Sequence, residues 1–152
     1  MKQVYRVLAF AIAALVALQA AVLAYGVFSL AKFIDEGNSV DKSTETFPGV
    51  VGLVAHNIGG TMLIPAVALL LLICSFFAHV AGGVKWALIV FVTVVVQVAL
   101  GLFAHGLPAL GVLHGIVALV LFGVSVSAAM RVRSTAPRAV QMDDLPSTRA
   151  AV

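Results

Sequence analysis

The chain contains four histidines, and each lies in or at the end of a long apolar run. His56 has Gly52 one turn before it and Gly59-Gly60 one turn after. His114 has Gly111 before it, Gly115 beside it and Ala118 one turn on. His105 closes the third apolar run, and His79 stands near the end of the second. An ionisable side chain at membrane depth is costly and marks function by default. No Asp, Glu, Lys or Arg interrupts the second, third or fourth run, so these imidazoles are the groups most able to do chemistry. With a rise of 1.5 Å per residue, His56 and His114 fall roughly 8–10 Å inside the same boundary. His105 falls at or slightly above that level. His79 lies about 35 Å further along the helix that carries His56.

Two imidazoles at one depth on alternate helices of an antiparallel bundle face each other across its core. Bundles hold cofactors with ligands on facing helices, and two axial imidazoles must approach a haem iron from opposite faces. His56 and His114 are therefore the expected axial ligands of one haem. Gly59, Gly60 and Gly115 are expected to clear a flat strip beside the rings. The same glycines also suit close helix packing with no cofactor. His105 has three readings: partner to a haem propionate, substitute for one of the two ligands, or interfacial residue. A zinc or copper site on the three histidines is the main rival, although no HxxxH or HxH pair pre-forms it. The acidic stretch from Asp35 to Glu45 would then supply a carboxylate. On the third run Gln97, Gly101 and His105 share a helical face. Gln97 is expected to look inward and bond Gln19 of the first run. Asn57 suits either a helix–helix hydrogen bond or support of the site. His79 lacks a partner at its own end and reads as an interfacial residue.

The elements that must position these groups are four transmembrane helices. Apolar runs occupy about 7–31, 50–81, 86–104 and 109–130, and a span needs roughly 20 residues. Of 152 residues 62% are apolar and 10% charged, against about 25% charged in a soluble domain. No single water-soluble core of this size would hide so much apolar surface. Short links at Gly82-Gly83 and His105–Pro108 make neighbouring spans antiparallel. The fold class is therefore all-α: an integral membrane antiparallel four-helix bundle over residues 1–131. Residues 132–152, with Pro137, Pro146 and mixed charge, read as a mobile cytoplasmic tail. Gly59, Gly60 and Pro65 predict a bend in the second span.

Seven of the nine Lys and Arg residues (Lys2, Arg6, Lys85, Arg131, Arg133, Arg138 and Arg149) fall on one side of four spans. Lys32 and Lys42 fall on the other, offset by Asp35, Glu36, Asp41 and Glu45. The positive-inside rule then predicts both termini in the cytoplasm. Lys2 and Arg6 ahead of an apolar run also resemble a signal peptide, but the run continues to Ala31, which favours a retained helix. The net charge of +3 comes with no basic helix, so nucleic acid is not an expected partner. Cys74 stands alone and reads as a small buried hydrophobe. No nucleophile–base pair, phosphate loop or paired carboxylate supports hydrolase or transferase chemistry.

His56-Asn57-Ile58-Gly59-Gly60, Gln97-x-x-x-Gly101 and Leu113-His114-Gly115 together resemble a family of small four-helix bacterial membrane proteins of unknown function. Over residues 5–131 the arrangement also resembles one four-helix half of haem A synthase, and other membrane b-type cytochromes. That resemblance implies b-type haem ligation by His56 and His114. The chain departs from the synthase in having one bundle and no acidic residue near its span histidine. The expected function is a membrane protein with one haem b near the extracytoplasmic face, serving electron transfer or haem handling. The expected partners are the lipid bilayer and a quinone or membrane redox protein. Residue usage rich in Ala, Val and Arg points to a bacterial inner membrane. The alternative is a cofactor-free subunit of a larger complex, since spans rich in Ala, Gly and Val suit packing in homo- or hetero-oligomers.

Overall fold

The computed structural model describes residues 1–41 and 43–132. It contains four helices: α1 (Lys2–Asp35), α2 (Val50–Ala78), α3 (Gly83–Ala104) and α4 (Ala109–Met130). Each is long and apolar enough to cross a membrane, and the molecule is a multi-pass helical membrane protein. The tail expected to be mobile lies, from residue 133 onward, outside the described residues.

Backbone chemistry sets the helix ends more sharply than hydropathy does. Gly37, at φ 89°, follows the end of α1, and its N–H bonds the Ile34 carbonyl. A left-handed glycine of this kind is the usual helix stop. His79, at φ 49° and ψ 42°, ends α2 at Ala78, before the apolar run is exhausted at Ala81. Gly82 (φ 69°) then turns the chain so that α3 opens at Gly83. The α2–α3 turn thus begins before the glycine pair. Helix α1 outruns its apolar stretch at both ends; its 34 residues make about 51 Å of helix, well beyond a hydrocarbon core of about 30 Å.

The helices form a ring in which α1 touches α2 and α4, while α3 touches α2 and α4. Helix α1 also crosses to the inner half of α2. The diagonal pairs are therefore α1 with α3 and α2 with α4. Inward residues recur at alternating spacings of three and four, as in Ile64, Ala68, Leu71, Ser75 and Ala78 on α2, and Ala87, Val90 and Val94 on α3. That is the heptad pattern of left-handed bundle packing. The fully buried Tyr5 ties α1 to the start of α3 by donating its hydroxyl to Gly83 O at 3.1 Å. At the same end the Arg131 guanidinium lies 4.5 Å above the Trp86 ring, a cation–π contact. Lys2, Arg6, Lys85 and Arg131 share this end, hereafter the basic end. Outward faces are apolar, with Phe28, Phe103 and Leu119 all exposed. Lipid is the solvent such a surface requires.

Near the opposite, loop end, α1 and α2 cross closely. A Cβ on Gly52 would lie 2.5 Å from Val22 O and 2.8 Å from Gly26 N. Only two facing glycines let the backbones meet there. The outer part of α2 packs on α1, not α3. Thr61, Pro65, Phe91, Val94, Val95 and Val98 line an apolar groove between α2 and α3.

A candidate histidine–glutamine site

Each helix contributes one polar residue to a layer near the loop end: Gln19 from α1, His56 from α2, Gln97 from α3 and His114 from α4. His56 is the seventh residue of α2 and His114 the sixth of α4, about 8–9 Å along each helix from its start. The two imidazoles meet across the α2–α4 diagonal with ring centroids 6.1 Å apart and planes inclined at 68°. Helical spacing explains how they get there. His114 lies one heptad before the buried Leu121, on the inner stripe of α4.

The contacts of the two rings repeat. Nδ1 of His56 lies 3.1 Å from the backbone carbonyl oxygen of Gln19. Nδ1 of His114 lies 3.0 Å from the backbone carbonyl oxygen of Gln97. A carbonyl only accepts, so each Nδ1 carries the proton and donates it. Both rings are thereby held in the tautomer whose Nε2 keeps its lone pair. In each hairpin, α1–α2 and α3–α4, a glutamine on the first helix orients a histidine on the second. This two-fold likeness is invisible in the sequence, where the partners stand 37 residues apart in one hairpin and 17 in the other.

The glutamine side chains differ. The Gln97 amide donates from Nε2 to Nε2 of His114 at 3.1 Å. The Gln19 amide packs against Gly59, where any Cβ would collide with it. The amide oxygens of both glutamines are buried and lack a protein partner. Gln97 does look inward as its face predicted, but its bond is to His114 and not to Gln19.

The remaining expected site residues scatter. His105 caps α3, is exposed, and approaches the Leu102 carbonyl of its own helix at 3.3 Å. His79 is exposed at the basic end, with Nδ1 3.0 Å from Phe77 O. Among the described residues no three His, Cys, Asp or Glu side chains converge, so the acidic loop brings no carboxylate to His56 and His114. Asn57 is exposed, away from the layer. The glycines do not form one strip. Gly59 seats the Gln19 amide, while the nearest group to a Cβ on Gly60 would be the same amide oxygen at 4.0 Å. Gly115 is exposed, with nothing within 4 Å of where its Cβ would stand. Gly101 was not expected in the site yet lies against it, since a Cβ there would come within 3.1 Å of Cε1 of His114. Its spacing of four from Gln97 was the available signal.

Fold and site together define a four-helix membrane protein with a layer of two histidines and two glutamines between its spans. Comparison with protein-family models, with curated proteins and with solved structures finds no match to this chain.

Proposed function

We propose that the protein is a membrane b-type haem protein, with His56 and His114 as the two axial ligands. The observation that carries this reading is the paired orientation of the two rings. Ligating histidines characteristically give their other N–H to a carbonyl or carboxylate, which fixes the tautomer and the ring plane. The two ring centroids stand 6.1 Å apart across the bundle core, near enough for both side chains to hold one group. His56 and His114 would hold an iron porphyrin through their Nε2 atoms, which for His114 requires the Gln97 amide to leave. When bound, such a group supplies one-electron redox chemistry. The protein's part is to orient both imidazoles through Gln19 O and Gln97 O, and to keep water out with apolar helices. The groove between α2 and α3 adds an apolar side opening just below the layer. Electron transfer with a quinone or membrane redox partner, or haem handling, is the role this implies. Charge asymmetry and residue usage support a bacterial inner membrane, with the haem near its outer face.

One observation favours a cofactor-free helical subunit instead. Nε2 of His114 already accepts from Gln97, and Gly26, Gly52 and Gly59 are all used in packing, so the layer also serves as polar glue. Absorption spectra separate the two. Protein expressed with haem available should show a Soret band and a six-coordinate, low-spin, bis-imidazole spectrum. His56→Ala or His114→Ala should abolish binding or leave a five-coordinate, high-spin centre. His105→Ala should have a smaller effect, and His79→Ala should leave the spectrum unchanged. Wild-type protein with no Soret absorbance and no tightly held metal rules out the cofactor and leaves the packing account.

A further inference from the structure

Helix α2 contains a single π-turn, Gly59–Leu63, immediately after His56. Its signature is the Ile64 N–H, which bonds back to Gly59 O, five residues earlier instead of four. The turn coincides with a break in the inward stripe. Gly52, His56 and Gly59 face the bundle on the loop side of it, and Ile64, Ala68 and Leu71 on the other. Between Gly59 and Ile64 the step is five residues, where the steps from Ile64 to Ala78 on α2 and from Ala87 to Val94 on α3 are three or four. His56 precedes Ile64 by eight residues, a distance that regular α-helical winding leaves about 80° out of line. Asn57 precedes Ile64 by seven, which regular winding leaves only about 20° out of line. An unbroken α-helix of this sequence would therefore turn Asn57 toward the bundle and His56 away. The structure has the reverse, with Asn57 exposed and His56 bonded to Gln19 O.

We infer that the Gly59–Leu63 turn is the positioning element of the site. It absorbs one residue beyond a regular helix, and so presents His56 rather than Asn57 to His114. The local sequence suits this. Pro65 has no N–H to return to Gly60 or Thr61 and crowds the preceding turn, which a widened turn relieves. Gly59 gives the Gln19 amide room beside the turn. The Thr61 hydroxyl donates to Asn57 O at 2.7 Å, binding a carbonyl at the start of the distortion. Isolated π-turns of this kind are frequent where a helix carries a functional group.

The register claim stands on backbone geometry alone; only the haem readout below rests on the proposed function. In a regular helix, adding or removing one residue rotates the flanking segment by about 100° either way and is equally harmful. Here the two changes should differ. Deleting Met62, a lipid-facing residue, turns the π-turn into ordinary helix and keeps His56 inward. Inserting an alanine between Gly60 and Thr61 exceeds what the turn absorbs and brings position 57 inward. The test uses the full chain in a Cys74→Ala background, with a nitroxide on Asn57→Cys and collision with oxygen as the measure of lipid exposure. Accessibility should match the parent in the deletion variant and fall several-fold in the insertion variant. Without the label, the deletion variant should retain a bis-imidazole spectrum and the insertion variant should lose it. Adding His56→Asn with Asn57→His to the insertion should restore it. Equal loss of label accessibility in both variants, or none in the insertion, overturns the inference. If the label responds as stated while the parent itself binds no haem, the haem reading fails and the register assignment holds.

Discussion

The backbone oxygen of Gln97 serves two partners, since a helical carbonyl already accepts from the residue four positions on and this one also receives Nδ1–H of His114. The residue four positions on is Gly101, which lets the ring come so near the α3 backbone. The same glutamine engages both nitrogens of one imidazole, its carbonyl at Nδ1 and its amide at Nε2. The first contact orients the ring, and the second occupies the lone pair that the proposed ligation would use. Removing the amide while keeping the backbone separates these effects. A hydrogen bond of about 0.5–1.5 kcal/mol net is then no longer lost on ligation. Gln97→Ala should tighten haem binding by roughly two- to ten-fold, read by titration of the apoprotein. Weaker binding would mean that the amide supports the loaded site.

Among the elements, the α1–α2 pair has the least room. Gly52 faces the Val22 carbonyl and the Gly26 backbone, neither of which moves without moving a helix. Gly52→Leu should destabilise the bundle by about 1–3 kcal/mol, the usual cost of overpacking, seen as earlier unfolding in an SDS titration. Gly115→Leu is the matched control, because its Cβ enters open space and should change stability by no more than about 0.5 kcal/mol. Equal losses at both positions would show that the close helix contact is not what sets the cost, since leucine is a better helix former than glycine. The close crossing also places Gln19, one helical stripe position from Val22, beside the α2 turn. Packing at Gly26–Gly52 and orientation of His56 are thus properties of one helix pair.

For the molecule as a whole, the question is which way it sits in the bilayer. Lys2, Arg6, Lys85 and Arg131 gather at one end, while Asp35, Glu36, Asp41 and Glu45 lie in or beside the loop at the other. In that loop, hydrogen bonds from the Ser43 side chain and backbone, and from Thr44, hold the Asp41 carboxyl below its ordinary range, so it remains charged near neutrality. Basic residues stay on the cytoplasmic side. A reporter fused after Arg138 should therefore be active in the cytoplasm, and one inserted in the loop at 38–44 active outside. The opposite pattern would place the histidine–glutamine layer at the inner face.

Hydropathy alone determined that four helices span a membrane, because burying this much apolar surface has no other solution at this length. The depth match of His56 and His114 was also legible, since rise per residue is constant in any helix. Rotation was not. Which face of α2 looks inward depends on a π-turn that no hydrophobic period reveals, in a span apolar all round. The sequence likewise paired Gln97 with Gln19 by depth, whereas the fold pairs each glutamine with a histidine on the next helix in the chain. That choice is made by where backbones can approach, at Gly101 beside His114 and at Gly59 beside Gln19. Composition decides that a chain enters lipid; only packing in three dimensions decides which polar groups meet there, because lipid exerts no directional pull on any of them.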